Sequence, residues 1–360
     1  MWETVRRGIT TSRQLSNDNT WAIWTDFCVQ LNCNPELADL DNPIPLLQLF
    51  AHRYRVGTLA PSGSPVRSRT VEGALRAVGQ AFTTLGSPDP RLNISGRLDF
   101  RLSRQLSANS KADPPPTRVK PIPIPIIGHA ADWCRRANTA FSITMADMLL
   151  LGFFFLLRPG EYAYTQSPDA CPFRLCVVHL LVHDRHLHPY PATEAELQAV
   201  NYVTLEFTNQ KNGVRGEMIG LGKSGHSSWC PVLATLSRVR HLRSYNAPLS
   251  TPLYSYFDSS WKRIDTTAMT TQLRTSVTAL GPRYGLQPHE ISVRSLRASG
   301  AMALLCARVD TDTIHLLGRW RSDKMLRYLH VQAYTLVAPL ASQMVHRGSY
   351  TLIPTSNLRG

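Results

Sequence analysis

SVRSLRASGAMALLCARVDTDTIHLLGRWRSDKMLRYLH, residues 292–330, is the stretch on which the reading of this chain turns. Arg294 and Arg297 stand three residues apart at the head of an apolar run that predicts a helix over 294–308. Residues i and i+3 share a helix face, so the pair can present two guanidinium groups to one anion, and two planar forks favour a phosphate. Arg319-Trp320 follows a second short apolar segment, and Tyr328 comes nine residues after Arg319. Nine steps of about 100° make half a turn, so one continuous helix would set Arg319 and Tyr328 on opposite sides. Separate elements converging on one site are the better expectation.

Outward from that stretch, LLRPGEY places Arg158 three residues before Glu161, at the end of the apolar run MLLLGFFFLL, 148–157. A run apolar all round predicts a buried helix, and Pro159-Gly160 predicts its stop just after Arg158. An arginine there would be held rigidly at the rim of the core, as a catalytic group needs to be. Between the two motifs, RLCVVHLLVH, NYVTLEFTN and GEMIGLG predict strands over 173–222, and Lys211-Asn212-Gly213 predicts a tight hairpin turn. Helix is expected again at 231–246, at 265–283 and around Tyr328.

R-S-L-R, then L-G-R-W, then R-Y resembles the C-terminal active-site half of tyrosine recombinases. The form G-R-W-x-S-D with a following Tyr is similar to recombinases of eukaryotic mobile elements. The family also carries an R-x-x-E and a β-turn lysine upstream, positions filled in order by Arg158, Glu161 and Lys211. The resemblance implies an α-helical N-terminal DNA-binding domain and a mixed α/β, mostly α catalytic domain of tyrosine-recombinase type, closing on duplex DNA as a C-shaped clamp. It implies DNA cleavage and rejoining through a 3′-phosphotyrosyl link, as in site-specific recombination or integration of a mobile element. Arg158 and Arg297 would clamp the scissile phosphate, with Arg294 and Arg319 adding positive field. Lys211 would protonate the leaving 5′-oxygen and Tyr328 would attack, with Tyr334 as a rival nucleophile. Glu161 would orient Arg158, and Trp320 would line the site or, as preferred, fill core. The chemistry needs a nucleophile, charge stabilisation and a proton donor, and no metal or cofactor. Double-stranded DNA and a homo-tetramer on two duplexes are the implied partners. The apolar stripe of VQAYTLVAPLASQMVHRG, after Tyr328, would dock on a neighbouring subunit or pack in cis.

Arg294 departs from the family pattern, which has a histidine there. Arginine stays protonated at any working pH and cannot be a general base. Either a cluster of cations suffices to favour tyrosinate, or His289 or another group takes the role, or activity is reduced. Two readings therefore stand beside the main one: a non-catalytic DNA-binding protein derived from a recombinase, and a type IB topoisomerase-like activity. The second lacks its S-K-x-x-Y, since Lys324-Met325-Leu326-Arg327 precedes Tyr328.

Composition agrees with a polyanionic partner. The 360 residues are 43% apolar, enough for two cored domains, and carry a formal charge of +14. Residues 1–110 hold 12 basic and 9 acidic side chains, leaving 27 against 16 in residues 111–360, the part that bears the motif. Seven scattered cysteines predict a reducing compartment rather than a disulfide scaffold. MWETVRRGITTSRQLSND lacks the apolar core of a signal peptide, and MLLLGFFFLL is shorter than the roughly 20 residues a membrane span needs. An intracellular protein with no membrane partner is expected, nuclear if the host is eukaryotic.

The domain plan places a helical DNA-binding domain at 1–112, a Pro-rich linker at 113–127, the catalytic domain at 128–350 and a tail at 351–360. NTWAIWTDFCVQLN, PIPLLQLFAHRYRVG and RTVEGALRAVGQAFTTLG predict helices, the first capped by Asn19 or Thr20 and the last closed by Gly86 before Ser87-Pro88. Six prolines in DPPPTRVKPIPIPIIGH predict an extended linker without internal hydrogen bonds. HAADWCRRANT predicts a helix just beyond it. Cys171, Cys176, His179, His183, His186 and His188 could each ligate zinc, but their spacing matches no standard finger, and structural histidines are the preferred reading.

Overall fold

A computed structural model describes residues 11–115, 119–165, 174–175, 178–182, 185–187, 192–208, 216–320 and 342. The chain divides into two compact units, residues 1–117 and 118–360.

The first unit contains α1 (Thr11–Gln30), α2 (Ile44–Arg55), α3 (Ser68–Thr84) and α4 (Phe100–Lys111). Their apolar faces meet around Trp24, Phe27, Leu47, Phe50, Leu75 and Phe82. Trp24 packs edge-on to Phe50 at 5.2 Å and donates its indole N–H to Pro35 O at 2.9 Å. Asn19 and Thr20 do not cap α1, which begins at Thr11; Thr20 lies inside it, its hydroxyl donating to Ser16 O at 2.8 Å. Only the second half of α1 has an apolar period, so the sequence signal starts late. Gly86, with φ of +87°, closes α3 as the Gly-Pro signal predicts.

The second unit is built on α6 (Ala140–Phe154), buried on nearly every side, with α5 (Ile124–Ala137), α9 (Pro231–Ser244) and α11 (Ser295–Cys306) packed against it. Thr139 caps α6 by accepting from Ser142 N at 3.1 Å. Beside these helices lies an antiparallel sheet of order β2-β1-β3-β4, formed by Arg185–Leu187, Val178–Val182, Tyr202–Phe207 and Glu217–Gly222. In β3, Val203 stands between Leu180 and Leu221, and Phe207 is paired with Glu217. Four features escaped the sequence reading: the short helix α8 (Glu194–Ala199), α4 in the first unit, α12 (Thr311–Leu317), and the hairpin β5 (Ser255–Asp258) and β6 (Ser260–Arg263), turned at Ser259. α10 (Thr266–Leu280) and α12 complete the helical part.

Two expectations need correction. The segment 113–127, expected to be extended throughout, is helical from Ile124. At its start Asp113 accepts from Ser68 N and Oγ and pairs with Arg55. Prolines at the first helical positions cost no hydrogen bond. The isoleucines between them supply core, since Ile122, Ile126 and Ile127 are all buried and Ile122 N donates to Ser299 Oγ at 2.7 Å. Nor does Pro159 stop α6, which ends at Phe154. Leu156 takes a left-handed turn at φ +50°, and Pro159 instead opens the single-turn helix α7 (Pro159–Tyr162).

Candidate active site

The R-x-x-E spacing proves to be a helix-capping arrangement. Arg158 stands at the N-cap of α7, and Glu161, three residues on, reaches back to it. Glu161 Oε2 accepts from Arg158 N at 2.7 Å, and Oε1 from Arg158 Nη1 at 3.0 Å. Glu161 is buried, whereas the Arg158 side chain is 29% exposed, so one end of the pair faces the core and the other faces out.

Arg297 enters from the first turn of α11. Its Nη1 donates to Leu156 O at 2.9 Å, its Nη2 to Gly318 O, and its guanidinium lies 4.4 Å from the centre of the Trp320 ring. Arg319 comes from beyond α12. Its Nη2 donates to the same Leu156 carbonyl at 3.1 Å and to Glu161 Oε2 at 3.1 Å, while its guanidinium stacks 3.7 Å from the centre of the Phe207 ring. Arg319 Nε and Nη1 find no acceptor among the described residues. One carbonyl and one carboxylate thus join three arginines from three separate parts of the chain.

Backbone conformation makes that convergence possible. Leu156 and Arg319 both take left-handed angles, φ +50° and +54°, each at a cost of about 1–2 kcal/mol for a non-glycine residue. Burial of Leu156 with Ala301, Ile314 and Trp320 opposes the cost. Two glycines admit the close approaches. A Cβ on Gly300 would come within 2.3 Å of Phe153 O, so only glycine lets α11 lie this near the end of α6. A Cβ on Gly318 would overlap the Trp320 ring, which explains the glycine of G-R-W.

Two of the three guanidinium groups, those of Arg158 and Arg319, bond the Glu161 carboxylate, and the third, that of Arg297, bonds the Leu156 and Gly318 carbonyls. Burial pushes the Arg319 pKa below its usual value, and Arg158 pushes the same way, while Glu161 and, less strongly, Glu217 oppose them. Tyr162 lies next to Glu161, but its hydroxyl donates to Val293 O and burial holds its pKa well above the usual range. It braces α7 and is no candidate nucleophile.

Arg158, Glu161, Arg297, Arg319 and Trp320 are therefore brought together. Arg294 is not part of that inner group. It is the exposed residue before α11, and Arg297, already inside the helix, turns inward. Arg294 has helical backbone angles, φ −65° and ψ −17°, but is exposed where Arg297 is buried. Lys211, Tyr328 and Tyr334 lie outside the described residues, as do the segment after Tyr328 and the tail. The chain that carries Lys211 connects the paired strands β3 and β4 and leaves from Phe207, the ring beneath Arg319. His289 is exposed. Trp320 is core, as preferred, and also stacks on Arg297.

The Leu156 carbonyl and Phe207 were not foreseen. Phe207 had a signal, an aromatic residue ending the strand before the predicted Lys211 turn; a backbone carbonyl has none. His179 Nε2 lies 3.2 Å from Glu206 Oε2, and no group of three metal-ligating side chains occurs among the described residues. Cys171, Cys176, His183 and His188 and the side chain of His186 lie outside them.

No protein-family model matches the sequence, and a search of curated proteins finds no significant relative. Solved structures give distant likenesses. The crystal structure of XerA recombinase is similar over 97% of each chain at 15% identity, with a TM-score of 0.39. The Tn1549 transposon integrase bound to transposon right-end DNA is similar over 84% of each chain at 10% identity, with a TM-score of 0.45. The same integrase bound to circular-intermediate DNA is similar over 82% of this chain and 83% of that one, at 13% identity and a TM-score of 0.43.

Proposed function

We propose that this chain cleaves and rejoins DNA strands through a 3′-phosphotyrosyl intermediate formed on Tyr328, as a tyrosine-type site-specific recombinase or integrase of a mobile element. The observation that carries the reading is the cluster in which Arg158 and Arg319 share the Glu161 carboxylate while Arg297 and Arg319 share the Leu156 carbonyl. Three cations against the carboxylates of Glu161 and Glu217 leave a net positive charge, which favours a further anion at the open side, where Arg158 is partly exposed. A phosphodiester is the anion that a chain of +14 meets on DNA.

In this reading Arg158 and Arg297 stabilise charge developing on the non-bridging oxygens. Arg294, exposed before α11, adds field and backbone contacts. Tyr328 attacks phosphorus and releases the 5′-oxygen, which Lys211 protonates. Rejoining reverses these steps with a second 5′-hydroxyl, so the phosphotyrosyl bond conserves the energy and no cofactor is consumed. Arginine in place of the histidine leaves the field of the cluster to favour the tyrosinate. Duplex DNA is the partner, and a tetramer on two duplexes and the division at a helical DNA-binding domain follow from the same reading, with a nuclear location if the host is eukaryotic.

A pool of nicked duplexes with randomised arms tests it. The short strand beyond the cleavage point diffuses away and traps any covalent protein–DNA adduct, which a denaturing gel displays. The expected result is an adduct with the native chain and none with Tyr328→Phe. Binding to the pool without any adduct would favour the non-catalytic DNA-binding reading.

A further inference from the structure

We infer that Arg319 is a positioning residue: it fixes Arg158 through Glu161 and Arg297 through the Leu156 carbonyl, and does not itself touch the phosphate. This rests on the proposed strand-cleavage reading and revises the expectation that Arg319 supplies positive field.

The geometry points inward. The Arg319 side chain is fully buried and Arg297 is buried as well, against 29% exposure for Arg158, so of the three guanidinium groups Arg158 is the one that reaches the open side. Its Nη2 is divided between two acceptors that each serve another arginine. Leu156 O also accepts from Arg297, and Glu161 Oε2 also accepts the backbone N–H of Arg158. Moving Arg319 therefore removes a shared donor from the acceptors of both arginines at once, leaving each acceptor free to shift. The neighbours of Arg319 act on the same group, since the Gly318 carbonyl and the Trp320 ring both hold Arg297. The left-handed turn at Arg319 is what sends the carbonyl before it and the ring after it to one guanidinium.

The position needs an arginine specifically. The side chain must lie flat on Phe207 while its edge reaches Leu156 O and Glu161, which a planar fork can do and a point-like ammonium cannot. Two of its donors stay without acceptors among the described residues, so the position is costly as a purely structural one. Removing one partner of a buried ion pair costs stability, but Glu161 keeps both its bonds to Arg158, and the loss of two buried donors without acceptors offsets part of the cost. Stability and cleavage should therefore separate.

The test compares Arg319→Met, Arg319→Lys and Arg158→Gln with the native chain on the nicked-duplex pool. It reads folding by urea denaturation, duplex affinity against salt, and the rate of adduct formation. A side chain that neutralises one phosphate contributes about 0.9 to the slope of log affinity against log salt. Arg319→Met is expected to fold and to keep the native salt slope, while adduct formation slows about tenfold or more. Arg158→Gln is expected to lose about 0.9 of slope. Arg319→Lys is expected to stay slow, because charge without the fork cannot join Leu156 to Glu161; if Met fails to fold, Lys carries the test. A loss of about 0.9 in slope at Arg319 would show direct phosphate contact and overturn the inference, as would a native cleavage rate in either variant. No adduct from the native chain would instead overturn the parent reading, a result distinct from all of these.

Discussion

Glu161→Gln isolates the carboxylate at the centre of the cluster while keeping its size. Native Glu161 accepts from Arg158 N at 2.7 Å, Arg158 Nη1 at 3.0 Å and Arg319 Nη2 at 3.1 Å. An amide offers one oxygen, so with Oε1 on Arg158 Nη1 its NH2 faces two donors, Arg158 N and Arg319 Nη2. Hydrogen bonds to charged groups contribute about 1.5–3 kcal/mol each, and those two are the buried ones. The bond to Arg158 Nη1 is discounted for the partial exposure of that side chain. The expected loss is about 3–5 kcal/mol, the range found when one partner of a buried pair is removed. In a unit of this size that corresponds to a melting temperature lower by roughly 10 °C. Urea and thermal denaturation by circular dichroism measure it. Glu194→Gln is the internal control: Glu194 pairs with Arg240 at 2.7 Å, but both side chains are exposed and little change is expected. A Glu161→Gln loss below about 1 kcal/mol, no larger than the control's, would refute the claim that this carboxylate holds the arginines together.

Ile122→Ala should cost about 2–5 kcal/mol in urea denaturation, as for a buried aliphatic residue, where a spacer residue would cost nothing. Gly300→Ala should destabilise by about 1–3 kcal/mol in the same assay, because the added methyl meets the Phe153 carbonyl, backbone that cannot swing aside. Two buried groups that both feel Arg238 should give opposing pH slopes. Burial raises the Asp147 carboxyl to about 6, so its contribution to stability is present at low pH and is lost as pH rises from about 4 to about 6. Burial first, and then Arg238, lower His241 to about 4, and its neutral Nε2 accepts from Phe257 N at 3.1 Å. Its contribution is present above about 6.5 and is lost as pH falls toward 4. Asp147→Asn should therefore lose stability more steeply than the native chain between pH 6.5 and 4.5, as read from urea midpoints; an unchanged slope would count against the pairing.

Much of the architecture was legible because helices here announce themselves by apolar spacing. α6, α9, α10 and α11 lie close to where that spacing puts them, and β3 and β4 flank the predicted Lys211 turn. What failed did so for local reasons. Proline was read as a breaker at 159 and throughout 113–127, yet at the first position of a helix it is harmless, as in α5 and α7. The start of α1 carries no apolar period, so its boundary was invisible. In the site, the order and spacing of Arg158, Glu161, Arg297, Arg319 and Trp320 picked out residues that do converge. Which guanidinium is buried was not legible, because it depends on left-handed turns at Leu156 and Arg319 that no motif encodes.

The most direct measurement locates the covalent bond. The adduct from the nicked-duplex pool is trimmed with nuclease and digested with trypsin, and the peptide spanning residues 328–347, which holds both Tyr328 and Tyr334, is fragmented by mass spectrometry. The account predicts a nucleotide on the Tyr328 oxygen and none on Tyr334. A nucleotide on Tyr334, on another residue, or on none would contradict it.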